Sequence, residues 1–362
     1  MILKDSAPNI LVINPFGIGD CLFTTPVIRE IKKNIPGCKV SYWCNERVRG
    51  IFENNPYIEN IFALSRGDLK KIFRVSKIQG IKSLLSLLLR LKKNKFDLAF
   101  DFSLDHRYGL ITKLLGIKRR IGFNYKNRGR FLTEKLDVEG YDSRHIVEYY
   151  LDLLKFIEIV PQDKHLDLFT SNADEIYADL LFADYGIKKD DLVIGIAPGA
   201  GASWGVDARL KHWQPENFSC LIDKINLSFN AKVILLGDAS EKNISEKIVS
   251  NCRIKPLDLV GATNLKQMVA LVKNLGVLIT NDGGPLHIAA ALGVKTVSIF
   301  GPVDDTVYGP YPSSNRHIVI KANIDCRPCY KKFRLPVCEN NRKCLTLITV
   351  EQVFEGLRRL VS

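Results

Sequence analysis

Two short apolar runs, each leading straight into a glycine-rich turn, constrain this chain more than anything else in it. Asn9–Asn14 (Asn-Ile-Leu-Val-Ile-Asn) runs into Pro15-Phe-Gly-Ile-Gly-Asp20, and Leu192–Ala197 repeats the arrangement before Pro198-Gly-Ala-Gly-Ala202. Short β-branched runs bounded by turn signals read as strands buried on both faces, which only a parallel sheet covered by helices provides. The rest of the chain supplies the parts. A helical pattern extends from Cys21 to Lys33, and Ile81–Lys93 sets Leu at helical spacing with Lys and Arg between. Further strands fit Lys39–Cys44 and Asp97–Phe102, then Lys232–Leu236, Gly276–Thr280 and Thr296–Phe300, with a polar and helical stretch around Pro161–Lys189 between the two sets. Alternating strands and helices that restart halfway predict an α/β chain of two Rossmann-like domains, 1–165 and 166–362, with ligands bound beyond the carboxyl ends of the strands. The last helix, Val350–Leu360, fits against either half.

A length of 362 residues suits two domains, and 46% hydrophobic with 25% charged residues excludes a disordered chain. No uncharged apolar run approaches the ~18 residues that span a bilayer. Lys4 and Asp5 stand where a secretory signal would be apolar, so no export is expected. Nine Cys without such a signal point to a reducing, cytoplasmic setting. The net charge of +13 is concentrated: Arg66–Lys135 carries 19 Lys and Arg against five acids, and everything else sums to −1. That field suggests an anionic partner, either a phosphorylated substrate or an acidic membrane surface. Aromatic platforms and recognisable nucleic-acid modules are missing, which sets nucleic acid aside.

Four loops carry the chemistry. Gly17 and Gly19 let a backbone approach a ligand, and the following helix N-terminus offers amides to an anion. Leu22 occupies the place where a dinucleotide fingerprint needs Gly or Ala. Asp20 reads either as the cap of that helix or as a carboxylate able to act as general base. In Thr280-Asn-Asp-Gly-Gly-Pro-Leu-His287, Gly283 and Gly284 can form a nest of amides, Pro285 suits a first helical turn, and His287 can donate to a phosphate or sugar oxygen. Asp282 beside an anion site fits hydroxyl recognition. Lys211, after the second glycine-rich loop, can neutralise a diphosphate as a point charge. Glu241, in Leu235-Leu-Gly-Asp-Ala-Ser-Glu241, reads either as a strand-to-helix cap or as an acceptor for ribose hydroxyls. No Asp-x-Asp occurs, so the usual carboxylate pair for a metal-bound nucleotide sugar is missing. Cys326, Cys329, Cys338 and Cys344 leave open a structural metal or free thiols, since only the first pair has close spacing.

The ordered set Ile10–Asp20 with Thr25-Pro26, then Ala197-Pro-Gly-Ala200 with Lys211-His-Trp213, Pro215, Glu216 and Phe218, then Asn281-Asp-Gly-Gly-Pro-Leu-His287 with Phe300-Gly-Pro302, resembles glycosyltransferase family 9. These are the ADP-heptose:lipopolysaccharide heptosyltransferases and their relatives. The resemblance covers nearly the whole chain, including its Cys-rich tail. It implies a GT-B fold whose two domains face a central cleft, the acceptor bound by the first and the nucleotide sugar by the second. It further implies Asp20 as base, Lys211 on the donor phosphates, Asp282 and His287 on donor sugar and diphosphate, and Glu241 on the nucleoside. Gly283 departs from the Ser or Thr usual there and leaves only a backbone donor. The implied activity is inverting, metal-independent transfer of a heptose or related sugar from a nucleotide sugar, ADP-heptose by this resemblance, to a lipopolysaccharide core or similar anionic glycolipid. It needs no cofactor and would take place in the cytoplasm, at the inner face of the membrane. The competing readings are another GT-B transferase, an epimerase using a different nucleotide sugar, and an inactive sugar-nucleotide-binding scaffold.

Overall fold

The computed structural model describes residues 7–361; Lys4 and Asp5 lie outside the described residues. The chain divides after Phe169 into two compact units. In the first, β1 (Asn9–Ile13), β2 (Lys39–Cys44), β3 (Asn60–Ala63), β4 (Leu98–Asp101), β5 (Arg119–Tyr125) and β6 (Glu134–Val138) form one sheet in the order β3-β2-β1-β4-β5-β6. In the second, β7 (Leu192–Ala197), β8 (Ala231–Leu235), β9 (Leu257–Asp258), β10 (Val277–Asn281), β11 (Lys295–Phe300) and β12 (His317–Lys321) form another in the order β12-β11-β10-β7-β8-β9. Every pairing is parallel. Counted from its own first strand, each sheet runs 3-2-1-4-5-6, the doubly wound order.

That order decides where chemistry can sit. The winding reverses between β1 and β4, where Ile13 pairs with Asp101, and between β10 and β7, where Thr280 pairs with Ala197. Connections leave in opposite directions there and open a crevice beyond the strand ends. The glycine-rich loops after β1 and β7 and the Asp282–His287 loop after β10 all start from these points.

Burial explains the strands. Ile10, Leu11, Val12 and Ile13 are fully covered, with Leu11 and Ile13 packed among Trp43, Phe62, Leu91 and Tyr108. In the second unit, Ile194, Ile196, Val297 and Ile299 share a core with Trp213 and Phe218. Val353, Leu357 and Leu360 of the final helix, Val350–Val361, join that core, so this helix belongs to the second unit.

The single helix expected from Cys21 to Lys33 is two helices, Ile18–Leu22 and Thr25–Asn34. Pro26 is the cause. It has no N–H for the Leu22 carbonyl four residues back, and its ring would collide with that oxygen. The Thr25 hydroxyl takes the Leu22 carbonyl instead (2.7 Å), and Thr24 takes that of Cys21 (2.6 Å).

Candidate functional site

In the first unit, two asparagines hold the Pro15–Asp20 loop. Asn14 accepts from the Phe16 N–H (3.1 Å) and donates to the Asp20 carbonyl (2.9 Å), while Asn45 donates to the Pro15 carbonyl (2.9 Å). Gly17 is the N-cap of the helix Ile18–Leu22, so Asp20 is its third residue and not its cap. An acid in the first turn is favoured by the helix dipole. Asp101 ends the neighbouring strand β4 and is buried. Burial pushes its carboxyl up to about 6, against the Ser103 N–H that stabilises the charged form from 2.9 Å.

In the second unit three loops are knitted together. Lys211 ends the ten-residue 3₁₀ segment Ala202–Lys211, which kinks at Gly205, and its Nζ lies 2.6 Å from Asp282 Oδ2, both side chains being less than a tenth exposed. The same ammonium sits 4.2 Å from the centre of the Trp204 ring. A buried charge needs its partner, and this pair keeps a cation beside the β10 loop at no net charge. The helix Gly284–Ala291 begins there with Gly283 as N-cap and Pro285 in its first turn, and His287 is buried in that turn. A cation, oriented amides and an imidazole are the groups that accept charge from a departing diphosphate.

Asn281, which ends β10, ties the site together. Its side chain donates to the Pro198 carbonyl (2.6 Å) and accepts from the Trp213 N–H (3.1 Å). The second glycine-rich loop, the Lys211–Trp213 segment and the end of β10 thus share one amide. Gly283 has an extended backbone, and its reason is space: a Cβ there would stand 2.9 Å from the Ala200 carbonyl oxygen. The sequence's missing hydroxyl therefore coincides with a close approach of two backbones.

Glu241 is tucked beneath the glycine-rich loop. Its carboxylate accepts from Gly201 N–H (3.1 Å) and Asp238 N–H (3.0 Å), completing a capping box with Asp238, and it fills the space a Cβ on Gly199 would need. Burial raises its pKa, opposed by those amides. Its side chain is engaged in shaping the loop. His212, beside Lys211, has its pKa lowered to about 4 by burial, then by Arg342 and Lys211. Trp204 carried no signal in the sequence beyond its position near a glycine-rich turn, and Asn45, directly after β2, carried none. Among the described residues no group of three or more His, Cys, Asp or Glu is placed to hold a metal ion, and the four tail cysteines are free.

Two Rossmann-like units of one strand order, with polar and charged side chains collected on the switch-point loops, define an α/β fold of the GT-B kind. The model for "Glycosyltransferase family 9 (heptosyltransferase)" matches residues 84–336. The chain belongs to this family and is a glycosyltransferase. It is 25% identical to lipopolysaccharide heptosyltransferase 3 of Escherichia coli K12 over 95% of both chains. The crystal structure of a family 9 glycosyltransferase from Veillonella parvula superposes with a TM-score of 0.82 at 21% identity, covering 98% of each chain. The E. coli ADP-heptose lps heptosyltransferase II gives 0.75 at 23% identity, again over 98% of each.

Proposed function

We propose that the protein transfers a heptose from ADP-heptose to the core of a lipopolysaccharide or a similar anionic glycolipid, inverting the anomeric centre and using no metal or cofactor. The observation that carries this reading is the buried Lys211–Asp282 pair beside the N-terminus of the helix Gly284–Ala291, at the switch point of the second sheet. The full-length likeness to a lipopolysaccharide heptosyltransferase supports the choice of sugar and acceptor. In this scheme the Asp20 carboxylate takes the proton of an acceptor hydroxyl as its oxygen bonds to the anomeric carbon. The bond from that carbon to the diphosphate oxygen breaks on the opposite face. Lys211, His287 and the amides around Gly283 and Gly284 receive the charge on the diphosphate, and Asp282 holds Lys211 in place and meets a sugar hydroxyl. Glu241 fixes the loop against which the nucleoside lies. The absence of an Asp-x-Asp pair supports a metal-free route. An acceptor carried on lipid would place the reaction in the cytoplasm at the inner face of the membrane.

The test is diphosphate release from ADP-heptose, UDP-sugars and GDP-sugars with a truncated lipid-core acceptor, with and without chelator. ADP-heptose is expected to react, and chelation to leave the rate unchanged. Asp20→Asn should keep donor affinity and lose ~10²–10⁴ in kcat, because Asn cannot take the proton. Gly17 is the helix cap, so no capping loss obscures the result. A wild-type rate in Asp20→Asn would move the base to Asp101 or Asp105. Epimerised donor without acceptor-linked product would replace transfer by epimerisation.

A further inference from the structure

The geometry points to the helical hairpin Arg66–Val75 and Lys77–Lys93 as a docking surface for an anionic lipid bilayer. Two stripes run along the second helix. Gly80, Leu87 and Leu91 are buried, Leu87 and Leu91 in the core with Phe62 and Phe96. Ile78, Ile81, Leu85 and Leu89 follow the spacing 3, 4, 4 and are 69%, 52%, 53% and 68% exposed. At 100° per residue they form one continuous strip on the far side of the helix from the buried stripe. Val75, at the end of the first helix, is exposed as well. A helix apolar on both sides is unusual on a water-facing surface and has the character of an interfacial one.

The hairpin is built to hold this face rigidly. Ser65 and Asp68 form a capping box at its start, and Ser76 closes the first helix and caps the second by accepting from Gln79 N–H. Gly80 makes the crossing possible: a Cβ there would lie 2.5–2.7 Å from the Phe73 ring.

Charge selects the occupant. The segment Arg66–Lys93 has nine Lys and Arg and a single acid, Asp68, whose carboxylate is turned inward onto the Ser65 and Glu46 N–H groups. Exposed Lys77, Lys82, Lys92 and Lys93 flank the apolar strip. A second copy of the chain would bring like charge against like charge. Nucleic acid would find aliphatic side chains where it needs stacking platforms. An anionic bilayer satisfies both features, taking the aliphatic strip into its headgroup boundary and drawing the lysines by its surface potential. The assignment adds a surface to the proposed transfer and rests on that reading only for its purpose, since a lipid-borne acceptor makes docking useful.

Full-length protein should float with vesicles of phosphatidylglycerol and phosphatidylcholine and not with phosphatidylcholine alone. The vesicles carry no glycan, so the result stands apart from whether a heptose is transferred. The variant Ile81→Ser/Leu85→Ser/Leu89→Ser changes only exposed side chains and should keep its melting temperature. It should lose at least tenfold in vesicle partitioning, as should Lys77→Glu/Lys82→Glu. Transfer to a soluble core acceptor should be unaffected in the triple serine variant. Wild type that ignores anionic vesicles overturns the proposal. So does a triple serine variant that binds as well as wild type, or one that converts a dimer to a monomer without changing vesicle binding.

Discussion

Lys211 and Asp282 stand 71 positions apart in sequence and 2.6 Å apart in the structure. Each residue was legible as a candidate, but the pairing was not, because nothing local in a sequence encodes a contact between the loops after two different strands. The pairing alters what a mutation reports. Lys211→Ala strands a carboxylate whose side chain is 5% exposed, and removing one partner of such a pair costs ~3–5 kcal/mol. Lys211→Met/Asp282→Asn should recover most of that loss, so denaturant unfolding should show strong non-additivity. The double variant then isolates the ammonium's part in donor binding, with a raised donor KM in a stable protein. A loss below ~0.5 kcal/mol for Lys211→Ala would mean the pair is solvated, whatever its geometry. Asp101 gives a second expectation. Its pKa of about 6 lies above the ordinary 3.8, so the folded state holds the proton more tightly than the unfolded. Stability is therefore complete below pH 4 and falls as pH rises through 6, by ~3 kcal/mol at most. Asp101→Asn can still accept from Ser103 N–H without carrying charge. Its melting temperature relative to wild type should climb from pH 4 to pH 7. His212 and His317, both lowered to about 4, slope the other way but do so in both proteins and cancel in the difference. Parallel melting curves would show that Asp101 is hydrated.

At the scale of elements, what the sequence revealed follows burial. β1, β2 and β7 match the expected segments to within a residue, since continuous apolar runs arise only where both faces of a strand are covered. The outer strands gave little signal. β6 (Glu-Lys-Leu-Asp-Val) is nowhere fully buried, β12 is half-buried, and β9 has two residues. An edge strand needs less apolar surface, so its composition drifts towards that of a loop. The break between Leu22 and Thr25 was written in Thr24-Thr25-Pro26, but apolar periodicity crosses it because both helices bury their apolar residues, Cys21 and Leu22 in the one and Val27, Ile28 and Ile31 in the other. The hairpin Arg66–Lys93 shows the converse. Its leucines announce an amphipathic helix, yet periodicity cannot tell which of two apolar stripes faces the core.

For the whole molecule, the same winding appears twice with very different charge. Residues 1–169 hold 29 Lys and Arg against 19 acids, a net of +10, while residues 170–362 hold 23 against 20, a net of +3. The repetition follows from the physics of a doubly wound sheet, and the asymmetry fits the proposed division of task between the two units. If the first receives an anionic acceptor, as proposed, its attraction acts through exposed side chains over a range set by the salt, ~8 Å at physiological strength. The proposed donor contacts differ in kind. Lys211 is buried and paired, and buried pairs are screened much less. Raising ionic strength from about 50 to about 300 mM should therefore raise acceptor KM several-fold and donor KM less than twofold. The measurement should use a soluble core acceptor free of lipid, so that vesicle docking does not contribute. Equal salt sensitivity of the two constants would mean that the positive field of the first unit serves something other than the acceptor. A change confined to kcat would place the effect after both substrates have bound.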